Sequence, residues 1–315
     1  MTVYKNLPAR PFLIVDGMSL LFRSFYAIPK LTNRHGHPTN AIHGFFSILF
    51  KLIEDLNPGK IAICFDRKET TTRKEAYSEY KAGRPEAPSD LVQQIPVVKN
   101  GVEVFKLNLI EQAGQEADDL IATLCHQNHT NIPCVIYSSD FDLLQSVNNN
   151  TFVITPNNQK QGTLTDHKAV IEKYGISSDQ IPDYKALRGD SSDNLPGIKG
   201  IGEKTAVQLL QTYQTLDNIY SNLQELSSNL QKKLIEGREM ALFCKKLATL
   251  DTNLEITIPE TDFDSTKIDF PAGQTFLSEL DLNSLNKRLD QLQKKQTAHN
   301  SSTTPPPETQ QQTLF

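Results

Sequence analysis

Three short apolar runs, each followed by an aspartate, constrain the fold of this chain most. The runs are residues 12–15, 61–65 and 134–137. The aspartates that follow them are Asp16, Asp66 and Asp140. Helical patterns such as residues 41–56 and 119–127 lie between the runs, an alternation typical of a mostly parallel α/β sheet covered by helices on both faces. Ligands bind at the carboxyl ends of strands in such sheets, so we expect the three aspartates to meet at one edge.

Six further carboxylates extend this set. Glu116, Asp118 and Asp119 open a helical pattern, where acidic residues commonly complement the helix dipole. Three acids in four positions exceed that need because like charges repel each other, and a bound cation would relieve the repulsion. One strand-end aspartate alone is more typical of a turn or a helix cap, but three in register favour a site. The candidate metal ligands are Asp16, Asp66, Glu116, Asp118, Asp119, Asp140, Asp142, Asp190 and Asp193.

The chemistry of these ligands favours hard divalent cations. Converging carboxylates need cations, because each buried unpaired charge costs several kcal/mol. Mg²⁺ or Mn²⁺ fits better than zinc, since no Cys or His joins the set. So many carboxylates suit two or more ions about 4 Å apart, which clamp the attacking and leaving oxygens in phosphodiester cleavage. Water activated by the metal is then the expected nucleophile, because the chain has no Gly-x-Ser-x-Gly motif that would favour a serine.

A glycine-rich segment, residues 188–206, follows the strand-like runs. Gly197, Gly200 and Gly202 precede a helical pattern at residues 205–210. Closely spaced glycines let the backbone approach a ligand, and the N–H groups at a helix start favour an anion such as phosphate. Lys199 and Lys204 add positive charge there. The order Gly-x-x-Gly-x-Gly is not the dinucleotide-binding order, and a loop with acidic caps is the alternative interpretation.

A basic segment, residues 67–84, directly follows Asp66. It contains Tyr77 and Tyr80 among six basic and three acidic residues. Basic residues interleaved with aromatic residues suit a single nucleic-acid strand, through phosphate contacts and base stacking. A solvated charged helix is the alternative, and the position of the segment beside Asp66 favours function.

Charge, hydropathy and cysteine content indicate the partners and the cellular compartment of the chain. Its 315 residues carry a net charge of −5, and setting aside the nine candidate carboxylates leaves +4. The rest of the chain is thus mildly basic, which is compatible with a nucleic-acid partner, although the total charge does not indicate one. The sequence has no run of 18 apolar residues and no secretory pattern, so we expect a cytoplasmic, nucleoid-associated protein with no membrane span. The four cysteines lie far apart and are expected to be core thiols in a reducing compartment.

The patterns divide the chain into two domains and a tail. Strand-like runs fill residues 1–173, which we assign to the sheet domain. From about residue 174 helical patterns dominate, so we place a helical domain at residues 174–295. Residues 296–315 are rich in Ser, Thr, Pro and Gln, a composition typical of a disordered tail.

Six stretches, in this order, resemble the 5′-3′ exonuclease and flap endonuclease family, and most nearly the N-terminal nuclease domain of bacterial DNA polymerase I. They are Leu-Ile-Val-Asp-Gly at 13–17, Phe65-Asp66, residues 73–84 with Tyr-Lys-Ala-Gly-Arg at the end, Glu-Ala-Asp-Asp at 116–119, Asp140-Phe-Asp142, and residues 189–202. The resemblance covers residues 10–290. It differs at the end, where no polymerase follows, so we expect either a stand-alone nuclease or an excised domain, and the native-looking tail favours the former.

The resemblance implies an active nuclease with a resolvase-like (PIN-like) core. It implies that Asp16, Asp66, Glu116 and Asp118, with Asp119, surround one metal, and that Asp140, Asp142, Asp190 and Asp193 serve a second. It implies a helical arch at residues 67–95, with Arg73, Lys81 and Arg84 near the scissile phosphate. It also implies a helix-hairpin-helix at residues 190–206 that holds duplex DNA, in family members often with K⁺. Nicked or branched duplexes with 5′ ends or flaps, and RNA-primed junctions, are then the expected partners of a monomeric enzyme.

Two alternatives remain open at this stage. A non-catalytic DNA-junction binder would use the same grip, but the complete carboxylate set argues against it. A small-molecule phosphohydrolase would have no use for the basic segment or the hairpin. The last residues, Gln-Gln-Thr-Leu-Phe at 311–315, also resemble bacterial sliding-clamp-binding peptides, with Gln311 offering a hydrogen bond and Leu314 and Phe315 an apolar anchor. The alternative for this tail is a random end of a disordered segment.

Overall fold

The structure is a computed structural model that describes residue 7 and residues 9–128, 132–157, 162–256 and 260–302. A six-stranded sheet in the order β3-β2-β1-β4-β5-β6 lies at its centre. The strands are β1 (Phe12–Asp16), β2 (Lys60–Cys64), β3 (Asn108–Ile110), β4 (Cys134–Tyr137), β5 (Thr151–Thr155) and β6 (Thr163–Thr165). The first five are parallel, and β6 pairs antiparallel with β5. The predicted mostly parallel sheet is confirmed.

Strand β1 lies in the middle of the sheet and is buried throughout, because helices cover both faces. Its side chains alternate between two cores, as the period of a strand requires. Phe12 and Ile14 join one core, with residues of α6, and Leu13 and Val15 join the other, with residues of α2. The helices of this part are α1 (Gly17–Ala27), α2 (Asn40–Leu56), α3 (Thr72–Ala76), α4 (Ser89–Val92), α5 (Gln94–Val104), α6 (Ala117–Asn128) and α7 (His167–Tyr174).

After α7, the residues described up to 256 and from 260 to 302 form helices and add no strand to the sheet, as the sequence predicts. They are α8 (Ile181–Arg188), α9 (Glu203–Tyr213), α10 (Leu216–Ser221), α11 (Ser228–Glu236), α12 (Arg238–Ala248), α13 (Phe270–Glu279) and α14 (Asn283–Ser302). Helix α8 is central to this region, since it packs against both α9 and α12. The core under α6 continues into α8, α9 and α12, so the helical region shares one apolar interior with the sheet.

The predicted helical domain, residues 174–295, ends with two helices that contact the sheet domain. Helices α13 and α14 pack against α5 and α2, on the outer face of the sheet domain. Phe276, Leu285 and Leu289 are buried there beside Phe46 and Phe105. The chain therefore returns to the sheet domain after α12, and apolar spacing alone could not indicate which core these leucines join.

The predicted helical arch, residues 67–95, is not one continuous helix. It contains α3, α4 and the first two residues of α5, with turns and irregular segments between them. Pro85 and Pro88 lack the N–H that a continuous helix requires, and Lys81 has a left-handed φ of 57°. The segment contacts the loop after α8, where Asn194 donates from its amide to the Glu79 carbonyl at 2.8 Å.

The tail begins later than the composition predicts. Helix α14 continues to Ser302, so residues 296–302 are helical rather than irregular. The clamp-binding candidates Gln311, Leu314 and Phe315 lie outside the described residues. In the part of the chain that is described, no helix combines the length and apolarity that a membrane crossing requires.

Candidate active site

Asp16 and Asp140 are brought together by the neighbouring strands β1 and β4, which run parallel in register. Ser138, fully buried just after β4, links them: its hydroxyl donates to Asp16 Oδ2 at 2.6 Å, and the Asp140 N–H donates to the same hydroxyl at 3.0 Å. Asp16 also caps α1 by accepting from the Ser19 N–H at 2.9 Å. Asp16 therefore caps a helix and also lies where the sequence predicts a metal ligand.

Asp66 and Asp118 join this edge from β2 and α6. Asp66 accepts from the Ala117 N–H at 2.9 Å, which fixes it against the start of α6, and Asp118 is the next residue of that helix. All these side chains line an open cleft of ≈ 530 Å³, together with Lys81 and Asp190. The expected meeting of strand-end aspartates is confirmed. We refer to Asp16, Asp66, Asp118 and Asp140 as the first cluster.

The electrostatics of the first cluster favour a bound cation. Burial, with the charges of Asp66 and Asp140, raises the pKa of Asp16 to about 6, although hydrogen bonds from Ser138 and Ser19 oppose it. Burial and the neighbouring carboxylates raise the pKa of Asp118 well above its usual range, and burial also raises the pKa of Asp66. A cation among these oxygens would keep the carboxylates ionised at neutral pH.

A second cluster consists of Asp142, Asp190 and Asp193, whose carboxylate oxygens lie within 4.8 Å of one another. The turn after β4 supplies Asp142, and the loop after α8 supplies Asp190 and Asp193. Burial, with Asp140 and Asp193, raises the pKa of Asp142 to about 7 despite the nearby Lys185. For Asp190, burial is outweighed by Lys185 and Ser192, and the pKa is lowered.

Lys185 is a functional-site residue that the sequence did not reveal. It is 4% exposed, and its ammonium forms ion pairs with Asp142 and Asp190 and lies 3.7 Å from Asp193 Oδ2. Helix α8 is buried from residue 181 to residue 187, so a lysine in that stretch has no route to solvent except through the cleft. Its position in a helical stretch, five residues before Asp190, is the sequence signal for it.

Glu116 and Asp119 lie apart from both clusters because Arg73 holds them. Its guanidinium donates to Asp119 Oδ1 at 2.7 Å and Glu116 Oε2 at 3.2 Å, and to the carbonyls of Leu247 and Thr249 at 2.8 and 2.9 Å. Arg73 is buried with every side of its guanidinium engaged. Arg73, expected near a scissile phosphate, is thus buried in the structure, and Asp119 contacts Arg73 and the Asp251 N–H.

Lys81 and Arg84 do line the cleft. Lys81 Nζ donates to Glu116 Oε2 at 2.9 Å, and burial alone would raise the pKa of Glu116, but Lys81 and Arg73 lower it. Arg84 donates to Asp193 Oδ1 at 2.9 Å from an exposed position. Both cations therefore lie between the carboxylates and solvent, where an incoming phosphate would meet them.

The two tyrosines of this segment pack against the protein. Tyr80 is 3% exposed, and its hydroxyl lies 3.3 Å from both Glu116 Oε2 and Asp193 Oδ2. Tyr77 is half-buried, with its ring edge-on to Phe243 at 5.5 Å. Both rings therefore contribute to core packing, and base stacking by Tyr77 and Tyr80 stays a prediction.

The predicted hairpin connects α8 and α9. Asp190 and Leu195 exchange backbone hydrogen bonds of 2.8 Å, which closes a tight loop, and Gly197 follows with a φ of 60°. A Cβ on Gly197 would lie 2.1 Å from the Gly189 nitrogen, so only glycine permits this approach of two backbones. Lys199, Gly200, Gly202 and Lys204 are exposed to solvent.

Both clusters fit divalent metals by their chemistry. Each offers several carboxylate oxygens without a Cys or His ligand, the donor set that hard cations prefer. Burial and neighbouring carboxylates raise the pKa of Asp16 and of Asp142, so a bound cation would favour the ionised form of both. When bound at such a site, divalent cations activate water and neutralise phosphate charge.

Comparisons with known proteins agree with this arrangement. Residues 11–175 match the family profile of the 5′-3′ exonuclease N-terminal resolvase-like domain, and residues 176–271 match that of the 5′-3′ exonuclease C-terminal SAM fold. A 5′-3′ exonuclease of Aquifex aeolicus is 39% identical over 280 residues, which cover 89% of this chain and 95% of that protein. DNA polymerase I of Caldicellulosiruptor bescii is 40% identical over 281 residues, 88% of this chain but only 33% of the polymerase.

Solved structures show the same fold at low identity. T5 5′-exonuclease with bound zinc superposes with a TM-score of 0.63 at 18% identity, covering 91% of this chain and all of that one (100%). The catalytic core of Rad2 in complex with a DNA substrate gives a TM-score of 0.62 at 17% identity, covering 90% of this chain and 92% of that one. From its two matched domains and its full-length relative, the chain belongs to the 5′-3′ exonuclease family.

Proposed function

We propose that this chain is a structure-specific 5′-3′ exonuclease and 5′-flap endonuclease that uses two divalent ions to hydrolyse phosphodiester bonds, in RNA primer removal and DNA repair. The observation that carries the proposal is the cleft itself, in which four first-cluster carboxylates face Lys81 and Arg84. Carboxylates alone would repel a phosphodiester, and cations alone would bind it without activating water, so the combination favours hydrolysis over binding.

Mg²⁺ is the metal we assign to both clusters, with Mn²⁺ as a substitute. The first cluster would hold one ion at the strand ends, and Asp142, Asp190 and Asp193 would hold the other. Asp140 lies between them, since its Oδ1 accepts from the Asp142 N–H at 2.9 Å. Glu116 and Asp119, which the resemblance places around the first ion, are held by Arg73, and Glu116 is also held by Lys81.

Lys81 and Arg84 would contact the scissile phosphate. Lys81 is held by Glu116, and its backbone N–H donates to the Asp193 carbonyl at 3.1 Å, so its position is defined before substrate binds. Cations preorganised beside a reacting phosphate stabilise the charge that develops in the transition state. Arg84 is bound less tightly, because its guanidinium is half-exposed and its carboxylate partner Asp193 is shared with Lys185.

The hairpin would hold the duplex part of the substrate. Lys199 and Lys204 are exposed beside Gly200 and Gly202, where phosphate can reach backbone N–H groups at the start of α9. K⁺ coordinated by hairpin carbonyls would add to this grip. Helix α8 connects the two sites, because the hairpin follows its last residue and Lys185 on its side lines the cleft. A nicked or branched duplex could therefore contact the hairpin while its 5′ strand enters the cleft.

The deciding experiment uses 5′-labelled flap, nicked and single-stranded substrates, with and without an RNA segment at the 5′ end. Incubation with Mg²⁺ should release short 5′ products and cleave flaps near the junction, and a chelator should stop both reactions. Junction binding without any metal-dependent cleavage would instead identify a non-catalytic DNA-junction binder.

We also propose that the chain acts as a monomer tethered to the bacterial sliding clamp by its last residues. The support is the sequence alone: Gln311, Leu314 and Phe315 lie in a polar segment where apolar residues are otherwise rare. Deleting residues 313–315 should leave cleavage of short oligonucleotides unchanged and remove any stimulation by the loaded clamp. Equal clamp affinity with and without these residues would contradict the tether.

A further inference from the structure

The second cluster contains a cation of its own. The Lys185 ammonium forms ion pairs with Asp142 and Asp190 and approaches Asp193 Oδ2 to 3.7 Å. These same three carboxylates form the one group of potential metal ligands found together within the described ranges. The ammonium is thus placed among the oxygens that a divalent ion would use.

We propose that Lys185 is a built-in counter-cation of the second cluster, and that a divalent ion has to displace its ammonium before this cluster can be loaded. The proposal rests on the proposed function in one respect, that Asp142, Asp190 and Asp193 are metal ligands. An ammonium hydrogen-bonds carboxylates at about 2.8 Å, whereas Mg²⁺ binds them at about 2.1 Å. Both cations cannot use the same oxygens at once, and their charges repel each other.

Burial makes this competition unavoidable. The Lys185 side chain is 5% exposed, and its neighbours Tyr184 and Ala186 are buried in the apolar core. The ammonium therefore cannot reach solvent on the side of α8 that faces the core. Lys185 and Asp190 both line the cleft, so displacement moves the ammonium towards the cleft, from which the divalent ion enters.

The helix that carries Lys185 is itself anchored. Asp183, two residues earlier on α8, accepts from the Leu216 N–H at 3.0 Å and forms an ion pair with Lys245 at 2.7 Å. Helix α8 also packs against α12. The backbone of α8 therefore stays in place, and only the flexible four-carbon side chain of Lys185 has to move.

The first cluster differs in this respect and provides an internal comparison. Its nearest cation, Lys81, is hydrogen-bonded to Glu116, outside the cluster. No lysine or arginine among the described residues forms an ion pair with Asp16, Asp66, Asp118 or Asp140. Divalent ions should therefore load the first cluster at lower concentration than the second, and Lys185 should set the difference.

The test measures metal binding without DNA and without turnover. Mn²⁺ is titrated into chelator-treated protein at neutral pH, and free Mn²⁺ is followed by electron paramagnetic resonance. Lys185→Met should lower the Kd of the weaker of two sites by about tenfold, because a like charge is removed from the site. Lys51→Met is the matched control, since it removes the lysine ion pair with Asp55 within α2 and should leave both Kd values unchanged.

Two further variants assign and secure the result. Adding Asp190→Asn to Lys185→Met should abolish the tighter binding, which locates it in the second cluster. Lys185→Met should also melt at a lower temperature in chelator and regain stability with Mn²⁺, because the ion replaces the ammonium. If Lys185→Met folds only with Mn²⁺, the proposal is supported; if Mn²⁺ does not restore its fold, the proposal is overturned. Lys185→Arg, which keeps the charge, should bind Mn²⁺ no more tightly than the wild type.

Equal Kd values for the wild type and folded Lys185→Met would overturn the inference. That result would leave the proposed nuclease function untouched, because cleavage is not part of the measurement. Conversely, tighter Mn²⁺ binding in a chain that cleaves no substrate would support the role of Lys185 and contradict the nuclease proposal.

Discussion

Arg73 and Asp119 form a buried two-point ion pair that joins the segment after β2 to the start of α6. The remaining donors of Arg73 reach Glu116 and the carbonyls of Leu247 and Thr249, at the end of α12. One guanidinium thus connects three segments, and its partners lie 43 to 176 residues from Arg73 in sequence. Its geometry indicates a structural role around the cleft rather than contact with substrate.

Arg73→Ala should destabilise the protein by about 3–5 kcal/mol, because it leaves Asp119 buried without its counter-charge. Thermal or urea unfolding measures the loss. Arg67→Ala is the control: its ion pair with Glu69 is exposed, so the melting temperature should hardly change. If the Arg73→Ala protein is as stable as the wild type but cleaves more slowly, Arg73 acts at the scissile phosphate instead.

Asp140→Asn should abolish cleavage while keeping affinity for nicked duplex within a fewfold. The amide oxygen still accepts from the Asp142 N–H, so the turn after β4 is preserved, but one negative charge is lost from the first cluster. Metal affinity should fall with it. Asp166→Asn, which changes a carboxylate that caps α7, should cleave normally. Full activity of purified Asp140→Asn at ordinary Mg²⁺ would remove Asp140 from the site.

Lys81→Ala should slow the chemical step by about 10²–10³-fold, the range for removing one group that stabilises transition-state charge. Lys199→Ala should instead weaken DNA binding and reduce its salt dependence by about one unit of slope, as expected for one lost phosphate contact. Single-turnover rates at saturating enzyme separate the two effects. A wild-type rate for Lys81→Ala at saturation would limit Lys81 to binding. Arg84→Ala should resemble Lys81→Ala.

The sequence predicted the sheet and the first cluster because both follow from local rules. Short apolar runs give buried parallel strands, and the carboxyl ends of such strands meet at one edge, so Asp16, Asp66 and Asp140 could be placed without a structure. Lys185 could not, since lysine is seldom buried and its partners come from separate segments. The burial of Arg73 depends on residues 247 and 249, which periodicity cannot relate to it.

Apo stability should fall as pH rises from about 4 to 7. Burial raises the pKa of Asp16 to about 6 and of Asp142 to about 7, so in this window the folded chain binds more protons than the unfolded chain and the free energy of unfolding decreases with pH. Burial lowers the pKa of His43, which acts in the opposite direction below about pH 6.5. Asp142→Asn isolates the carboxylate effect and should flatten the curve.

Mg²⁺ should counteract this loss increasingly as the carboxylates ionise. The Mg²⁺-induced rise in melting temperature should therefore be larger at pH 8 than at pH 5, because bound metal requires deprotonated ligands. Differential scanning fluorimetry with matched chelator samples measures it. A Mg²⁺ effect that is constant across this range would contradict the pKa shifts at Asp16 and Asp142.

Substitutions at Gly197 and Gly202 test two different properties of the hairpin, its folding and its contact with DNA. Gly197→Ala should destabilise the protein, because the new Cβ would lie 2.1 Å from the Gly189 nitrogen and φ is 60°. Gly202 has an ordinary φ of −101° and open space around its Cα, so Gly202→Ala should melt within a degree or two of the wild type. If DNA backbone comes close to Gly202, the added methyl group should still weaken duplex binding severalfold. Unchanged binding by Gly202→Ala would show that the duplex is held at Lys199 and Lys204 without close contact at this glycine.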